Sequence, residues 1–151
     1  MISFEKSVGA VVFRRQGNTI MFLLLHYRSG HWDFPKGHME SGETEHGTLM
    51  REVSEESGLN DLEILPEFKT QTRFFYRAGE EEKQRRKVEG RYANIAKKVV
   101  YYIAETKTKN IMISFEHIGF EWLGYADALS RITYGNSKNV LKKANKHLEA
   151  L

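Results

Sequence analysis

The stretch GHMESGETEHGTLMREVSEESGL, residues 37–59, contains six glutamates and a single arginine, Arg51. Residues 44–57 of this stretch read as an α-helix. Thr44 is a suitable N-cap, and Gly58 stands where a left-handed residue commonly ends a helix. The sequence therefore predicts a loop, a helix and a glycine cap in immediate succession.

Three of these glutamates, Glu52, Glu55 and Glu56, are spaced three and four residues apart and would share one face of the helix. Leu49 and Val53 would turn the other side toward the core. Like charges at this spacing repel by a few tenths of a kcal/mol per pair. A solvated helix face is one interpretation. A Mg²⁺ site is the other, because this hard cation binds carboxylate oxygens and keeps positions for water and substrate phosphate.

The spacing of Gly37, Glu43 and REVSEESGL, residues 51–59, resembles the Nudix box, and every fixed position of that pattern is filled. The resemblance implies an α/β fold, an α/β/α sandwich around a mixed β-sheet. It also implies a hydrolase that cleaves a nucleoside diphosphate linked to another moiety, with two or more Mg²⁺ or Mn²⁺ ions per site.

The resemblance assigns roles by position. The metal-binding positions are Glu52, Glu55, Glu56, Glu116 and Gly37. The catalytic positions are Glu52, Glu55 and Arg51, where Glu52 or a neighbouring carboxylate takes a proton from water and Arg51 orients the cluster. The structural positions are Glu43, as the salt-bridge partner of Arg51, together with Gly42 and Gly58.

The flanking segments bear on the substrate. HWDFPKGH, residues 31–38, and KKVVYYIAE, residues 97–105, resemble asymmetric diadenosine tetraphosphate hydrolases, which implies cleavage of diadenosine tetraphosphate to ATP and AMP. In this resemblance a tyrosine stacks on adenine and lysines meet phosphate. The implied substrate-binding residues are His31, Lys36, Lys97, Lys98, Tyr101 and Phe120.

Three alternative functions remain open from the sequence. A pyrophosphohydrolase acting on the triphosphorylated 5′ end of RNA shares the box, so RNA is an alternative partner to a small nucleotide. Another Nudix nucleotide pyrophosphatase is the second alternative. An inactive nucleotide-binding sensor is the third, although the box retains all its glutamates.

Further strands and helices are predicted from apolar patterning. Strands 8–13 and 20–27 form a hairpin about the turn at 16–18, and later strands are expected at 64–76, 97–104 and 119–123, with helices at 127–132 and 138–148. The charged segment 78–95 reads as an insertion that is either a short solvated helix or a mobile loop. Glu81 with Arg85 and Glu82 with Arg86 have the spacing of helical ion pairs.

The remaining features limit the class of protein. The chain has 151 residues, a net charge of +3 and no cysteine, so disulfides and thiolate chemistry are excluded. Its length predicts one domain over 1–151. Neither a secretory signal nor a membrane-spanning run is predicted. A cytoplasmic monomer is therefore expected.

Overall fold

A computed structural model describes residues 1–151 as eight strands in one mixed sheet and four helices. The strands are β1 Ile2–Gln16, β2 Thr19–Tyr27, β3 Trp32–Asp33, β4 Lys36–His38, β5 Glu63–Ile64, β6 Thr70–Arg77, β7 Asn94–Glu105 and β8 His117–Leu123. The helices are α1 Glu45–Ser57, α2 Glu80–Val88, α3 Tyr125–Arg131 and α4 Gly135–Glu149. None of these helices combines the length and apolar character needed to cross a membrane.

Strand β1 lies at the centre of the sheet. It forms the predicted hairpin with β2, where Gly17 supplies the positive φ of the turn, and it pairs in parallel with β7 over twelve residues, Ile2–Phe13. Strands β5 and β6 pair with β7, β3 and β8 pair with β2, and the short β4 pairs with β1. The sheet is therefore mixed, as the sequence predicts.

Alternation along β1 divides the core between the two faces of the sheet. Val8, Ala10 and Val12 pack in one cluster with Leu49 and Val53 of α1. The intervening side chains pack on the other face in a second cluster with α3 and α4; this cluster includes Val11, Phe13, Tyr101, Ala128, Leu141 and Ala144. Helices cover both faces, which confirms the predicted α/β/α sandwich.

The prediction of one strand over 64–76 is wrong. The segment contains two strands, β5 and β6, separated by a turn at Pro66 and Glu67. Proline has no backbone N–H to donate to a ladder, and it commonly marks a strand end or turn. The break lets β5 and β6 pair with separate parts of β7.

The charged segment 78–95 forms helix α2, and its last residues enter β7. The structure contains the helical alternative of the two predicted, but the helix is not solvated on every side, because Arg86 is only 2% exposed. Its guanidinium lies 3.0 Å from Glu82, the predicted partner, and 3.0 Å from Glu5 on β1. Arg91 also pairs with Glu5 at 3.3 Å. Burial by itself raises the pKa of Glu5, but the hydrogen bond and the charge of Arg86 outweigh burial, so the pKa is lowered.

We predict that Arg86→Ala lowers the free energy of unfolding by about 3 kcal/mol, because removing one partner of a buried ion pair leaves the other charge uncompensated. Urea unfolding at neutral pH measures the change. Arg85→Ala is the matched control, since Arg85 is an exposed neighbour on the same helix, and its effect should stay within about 0.5 kcal/mol. Equal effects of the two variants would contradict the anchoring role of Arg86.

Candidate active site

Helix α1 has the predicted caps. The Thr44 hydroxyl accepts a hydrogen bond from the Gly47 amide at 3.0 Å, and Gly58 adopts φ 76° and donates its N–H to the Ser54 carbonyl. Gly42, in the turn before the helix, also has a positive φ, 83°. Glycine occupies such conformations without steric cost, which accounts for both positions. The caps fix where the helix begins and ends, and so which residues face the loop before it.

Arg51 holds the acidic cluster together. Its guanidinium lies 2.7 Å from Glu43, 2.8 Å from Glu52 and 3.4 Å from Glu55, and it donates to the His38 carbonyl at 3.0 Å. The hydrogen bond from Arg51 lowers the pKa of Glu43 to about 2. The single cation in the box thus contacts two of the clustered glutamates and ties α1 to the preceding loop.

Glu56 has a different environment. It is 3% exposed, and its carboxylate lies 3.4 Å from the Lys36 amide and 3.5 Å from the Tyr27 hydroxyl. Burial raises the pKa of Glu56 to about 8, and the nearby charges of Glu52 and Glu116 add to the effect. Burial also raises the pKa of Glu52, against the opposing effect of Arg51.

Strand pairing brings Glu116 and His117 to Glu56. Ligand atoms of the three residues lie within 4.8 Å of one another. His117 is buried, its Nδ1 lies 2.9 Å from the Ser114 hydroxyl, and its Nε2 has no hydrogen-bond partner. Burial lowers the pKa of His117, so the ring is neutral at pH 7 and its 3.6 Å approach to Glu56 is not an ion pair.

Two residues of this cluster, Tyr27 and His117, were not predicted from the sequence. Tyr27 ends β2, where its ring meets His117 edge-on at 4.5 Å. The two are neighbours because β2 pairs with β8, a contact between residues 90 positions apart. The only local signal was that His117 directly follows Glu116.

Gly37 supports the cluster by having no side chain. A Cβ at this position would lie 1.9 Å from Cδ of Glu52, so the Glu52 carboxylate occupies the space directly over β4. Its predicted role as a metal ligand stays a prediction. The structure does show that only glycine leaves room for Glu52 in its present position.

The donor set fits a hard divalent cation. Glu56 and Glu116 offer carboxylate oxygens within 4.8 Å of each other, and Glu52 is near enough for its charge to raise the pKa of Glu56. Glu56 is buried with a pKa raised by that burial, and the neighbouring His117 Nε2 is unpaired. A bound cation would offset both costs, since burying unpaired polar groups is unfavourable.

The two lysines of β7 point to opposite faces of the sheet. Lys97 pairs in register with Phe74, on the face of Tyr101, whereas Lys98 lies on the face of Val100 and α1. Burial and the charge of Lys36 lower the pKa of Lys97. The structure therefore groups Lys36 with Lys97 and places Lys98 on the other face of the sheet. The predicted role of Lys98 in substrate binding stays a prediction.

A cavity of about 510 Å³ lies beside this lysine pair. Its lining comprises Asp33, Lys36, Thr72, Phe74, Tyr101, Tyr134, Gly135, Asn136 and Ser137. Tyr101 is 2% exposed and packs edge-on against Phe34, so its ring faces are not available to a base in this conformation. Phe74 and Tyr134 are the more accessible aromatic residues of the cavity.

His31 and Phe120 lie apart from each other. The His31 ring stacks on Tyr27 at 4.4 Å and approaches Tyr134 at 5.4 Å, which places it between the acidic cluster and the cavity. Burial lowers the pKa of His31, so the ring is neutral at pH 7. Phe120 is 37% exposed and pairs with Leu25 on the α1 face, away from Tyr101. Its predicted role in base stacking stays a prediction.

Comparisons with known proteins agree with this geometry. The family model described as NUDIX domain matches residues 3–144. The asymmetrical bis(5′-nucleosyl)-tetraphosphatase of Sus scrofa is 31% identical, and the match covers 95% of each chain. A crystal structure of a binary complex of the Caenorhabditis elegans Ap4A hydrolase superposes with a TM-score of 0.76 at 28% identity, covering 97% of this chain and 99% of that one.

A second group of relatives matches a smaller region. The RNA pyrophosphohydrolase of Pseudoalteromonas translucida is 37% identical over 73 residues, which amount to 47% of this chain and 41% of the relative. The match with this group is therefore partial, whereas the match with the tetraphosphatases extends over nearly the whole chain.

We predict that Gly37→Ala weakens Mn²⁺ binding about tenfold or more, because the added Cβ displaces the Glu52 carboxylate, and disturbed supporting geometry typically costs 10- to 100-fold in metal affinity. Titration calorimetry measures the affinity. The free energy of unfolding should change little, since only the end of a flexible side chain must move. Gly124→Ala, where an added Cβ meets nothing within 4 Å, is the control. Unchanged Mn²⁺ affinity in Gly37→Ala would contradict the prediction.

We predict a specific pH dependence for the metal-free protein. The pKa of Glu56 is about 8 in the folded chain against the ordinary value of 4.5, so between these pH values the unfolded chain releases a proton that the folded chain keeps. Stability therefore falls as pH rises through this interval, by about 1.4 kcal/mol per pKa unit of difference. Between pH 5 and pH 8.5, the decrease in the free energy of unfolding should be smaller in Glu56→Gln than in the wild type by on the order of 3 kcal/mol. Urea unfolding in EDTA at the two pH values measures this difference.

Glu43 is the control for this measurement, because its pKa is shifted in the opposite direction from that of Glu56. Arg51 lowers the pKa of Glu43 to about 2, so the stability from that pair is lost as pH falls from 4.5 toward 2. Glu43→Gln should change the pH dependence only in that acidic range. Parallel stability curves for the wild type and Glu56→Gln between pH 5 and pH 8.5 would refute the assignment of Glu56.

Proposed function

The chain belongs to the Nudix hydrolase family, and from that premise we propose that it hydrolyses a phosphoanhydride bond of a dinucleoside polyphosphate, with diadenosine tetraphosphate giving ATP and AMP. The observation that carries the proposal is the position of the acidic cluster beside Lys36, Lys97 and an aromatic cavity. This arrangement offers cation ligands, phosphate contacts and a base pocket in succession.

The acidic residues would hold Mg²⁺ or Mn²⁺, two or more ions per site, through Glu52, Glu55, Glu56 and Glu116. A divalent cation bound there neutralises phosphate oxygens and lowers the pKa of water. Arg51 contacts both Glu52 and Glu55, at 2.8 Å and 3.4 Å. Glu52 or Glu55 then accepts the proton of the attacking water, a step that needs a carboxylate within hydrogen-bond reach.

Lys36 and Lys97 would bind the phosphate chain. The lysines repel each other, Lys97 forms no ion pair, and Asp33 compensates Lys36 at 3.2 Å. A polyphosphate placed between them removes this repulsion. His31, stacked on Tyr27, is neutral at pH 7 and can donate one hydrogen bond to the same chain without adding charge.

The base would enter the cavity between Phe74 and Tyr134. Both rings are accessible, whereas the Tyr101 ring is enclosed. Stacking of a base on an aromatic side chain contributes about 1–3 kcal/mol and tolerates any base. Tyr101 lines the same cavity, and its predicted stacking role stays a prediction.

One observation favours hydrolysis at the triphosphorylated 5′ end of RNA as a second candidate function. The box and its flanks are similar to an RNA pyrophosphohydrolase over 73 residues. Three cations of helix α2 also form no ion pair, and they are Lys83, Arg85 and Lys87. The partial coverage of that match ranks this candidate below the first.

We propose further that residues 1–151 act as one catalytic domain with the charged insertion at 78–95, and that the protein works as a monomer in the cytoplasm. The single sheet that contains all eight strands supports the first statement. Sedimentation equilibrium of the purified chain tests the monomeric state.

We predict Mg²⁺-dependent conversion of diadenosine tetraphosphate to ATP and AMP, measured by chromatography of the products. Mass spectrometry of products formed in ¹⁸O water identifies the attacked phosphorus. Lys97→Met should raise KM about tenfold with a smaller effect on kcat, since a binding contact is lost. Lys142→Met, an exposed lysine of α4, serves as the control. A larger kcat/KM for triphosphorylated RNA would exchange the ranks of the two functions, and no hydrolysis of either substrate would refute both.

A further inference from the structure

The face of the sheet that carries α1 extends beyond that helix. Strands β1, β7 and β6 align Phe4, Ala96 and Phe75 in one cross-strand row, because Phe4 pairs with Ala96 and Ala96 pairs with Phe75. Phe4 is 83% exposed and Phe75 is 77% exposed. Two large aromatic rings therefore stand in solvent on either side of a small residue.

No helix covers this row. Helix α1 begins at Glu45, whose carboxylate lies 2.6 Å from Lys6, the next residue of β1 on the same face as Phe4. Helix α2 packs on the opposite face, where Arg86 meets Glu5. The aromatic row thus lies past the N-terminus of α1, on the face of the sheet opposite to α2.

A row of cations lies next to the aromatic row. Lys6, Lys98 and Arg73 align across the same three strands, and Arg77 lies on the far side of Phe75. Lys6 is paired with Glu45, but the other three cations form no ion pair. Unpaired positive charge beside exposed aromatic rings is the combination by which proteins bind single-stranded nucleic acid, with cations on the backbone and rings on the bases.

The geometry of the aromatic row suits a planar ring. Neighbouring strands are separated by about 4.8 Å, so the backbones that carry Phe4 and Phe75 lie about 9.6 Å apart. A flat ring stacked between two others needs about 7 Å, twice a carbon–carbon contact of 3.5 Å. A cavity of about 360 Å³ opens here, and one of about 320 Å³ adjoins it at Phe75 and Ile2.

We propose that this surface, defined by Phe4, Phe75, Arg73, Lys98 and Arg77, binds a single-stranded polynucleotide. The rings hold a base over Ala96, and the three unpaired cations meet the phosphates on either side. A second copy of this chain is the poorer occupant, because a symmetric contact through this surface would bring two sets of unpaired cations together.

The surface is distinct from the candidate active site. Glu45, at the edge of the surface, precedes Glu52 by seven residues, about 10 Å along the helix axis. Binding here needs no phosphoanhydride bond and no metal, so the inference does not rest on the proposed hydrolysis. A single-stranded polynucleotide bound at this surface would have a longer contact with the protein than one bound at the candidate active site alone.

Fluorescence anisotropy with a labelled 12-nucleotide single strand that has a 5′-hydroxyl end tests the proposal, in EDTA to prevent hydrolysis. Phe4→Ala and Phe75→Ala should each raise Kd about fivefold or more, given the usual contribution of stacking. Their hydrolysis of small nucleotides should be unchanged. Val88→Ala, which removes an equally exposed apolar side chain from α2, should bind like the wild type.

The dependence on salt tests the cations separately. In the double variant Arg73→Ala with Lys98→Ala, the slope of log Kd against log salt should become less steep by about 1.4, since each contact with a single-strand phosphate contributes about 0.7. Lys142→Ala with Lys146→Ala, on α4, removes equal charge and should leave the slope unchanged. Comparing Kd for an RNA probe with Kd for a DNA probe shows whether the protein distinguishes ribose from deoxyribose.

Several results would overturn the inference. These are no binding by the wild type at 100 mM salt, equal affinity in the aromatic variants, an unaltered salt slope, or equal binding of a duplex whose bases are already stacked. Concentration-dependent dimerisation abolished by Phe75→Ala, without probe binding, would assign the surface to a second copy instead. The proposed reaction cannot hydrolyse this probe. An absence of probe binding and an absence of hydrolytic activity are therefore separate outcomes that can be told apart.

Discussion

The site depends on holding several carboxylates closer together than their charges favour. Arg51 makes this feasible by contacting Glu43, Glu52 and Glu55 at once, with Glu43 as a permanent counter-ion that leaves the other two partly compensated. Gly37 contributes by leaving the space that Glu52 fills. One cation and one missing side chain therefore set the position of the acidic cluster relative to β4.

Alternation along the strands distributes the other functional groups. Tyr101 and Lys97 face α4 and the cavity beside Lys36, whereas Lys98 faces α1 and the solvent beyond it. A pair of adjacent lysines that looks like one phosphate site in the sequence is thus divided between two surfaces of the protein. The strand period of two decides which lysine belongs to which surface.

Features set by local sequence were predictable, and features set by distant pairing were not. The caps of α1 and the hairpin of β1 with β2 depend on residues close in the chain, and the structure contains both. The resemblance to the Nudix box implied the pairing of Arg51 with Glu43, which the structure also contains. Tyr27 meets His117 only through the pairing of β2 with β8, and Tyr101 becomes enclosed only when α4 docks. Burial of Arg86 likewise needs Glu5, which lies 81 residues away.

The environment of Glu56 connects stability to function. A buried carboxylate without a cation partner destabilises the folded chain at any pH where the unfolded chain would ionise it. Neutral His117 cannot supply the missing charge, and the Lys36 amide and the Tyr27 hydroxyl supply only long, weak hydrogen bonds. A divalent cation that binds the folded state alone stabilises it by mass action, so the same ion that the proposed reaction requires would also offset the cost of burying Glu56. The fold thus keeps a buried carboxyl group, which ionises only at a cost in stability, at the position where the proposed reaction needs a cation, and the compensation comes only on binding.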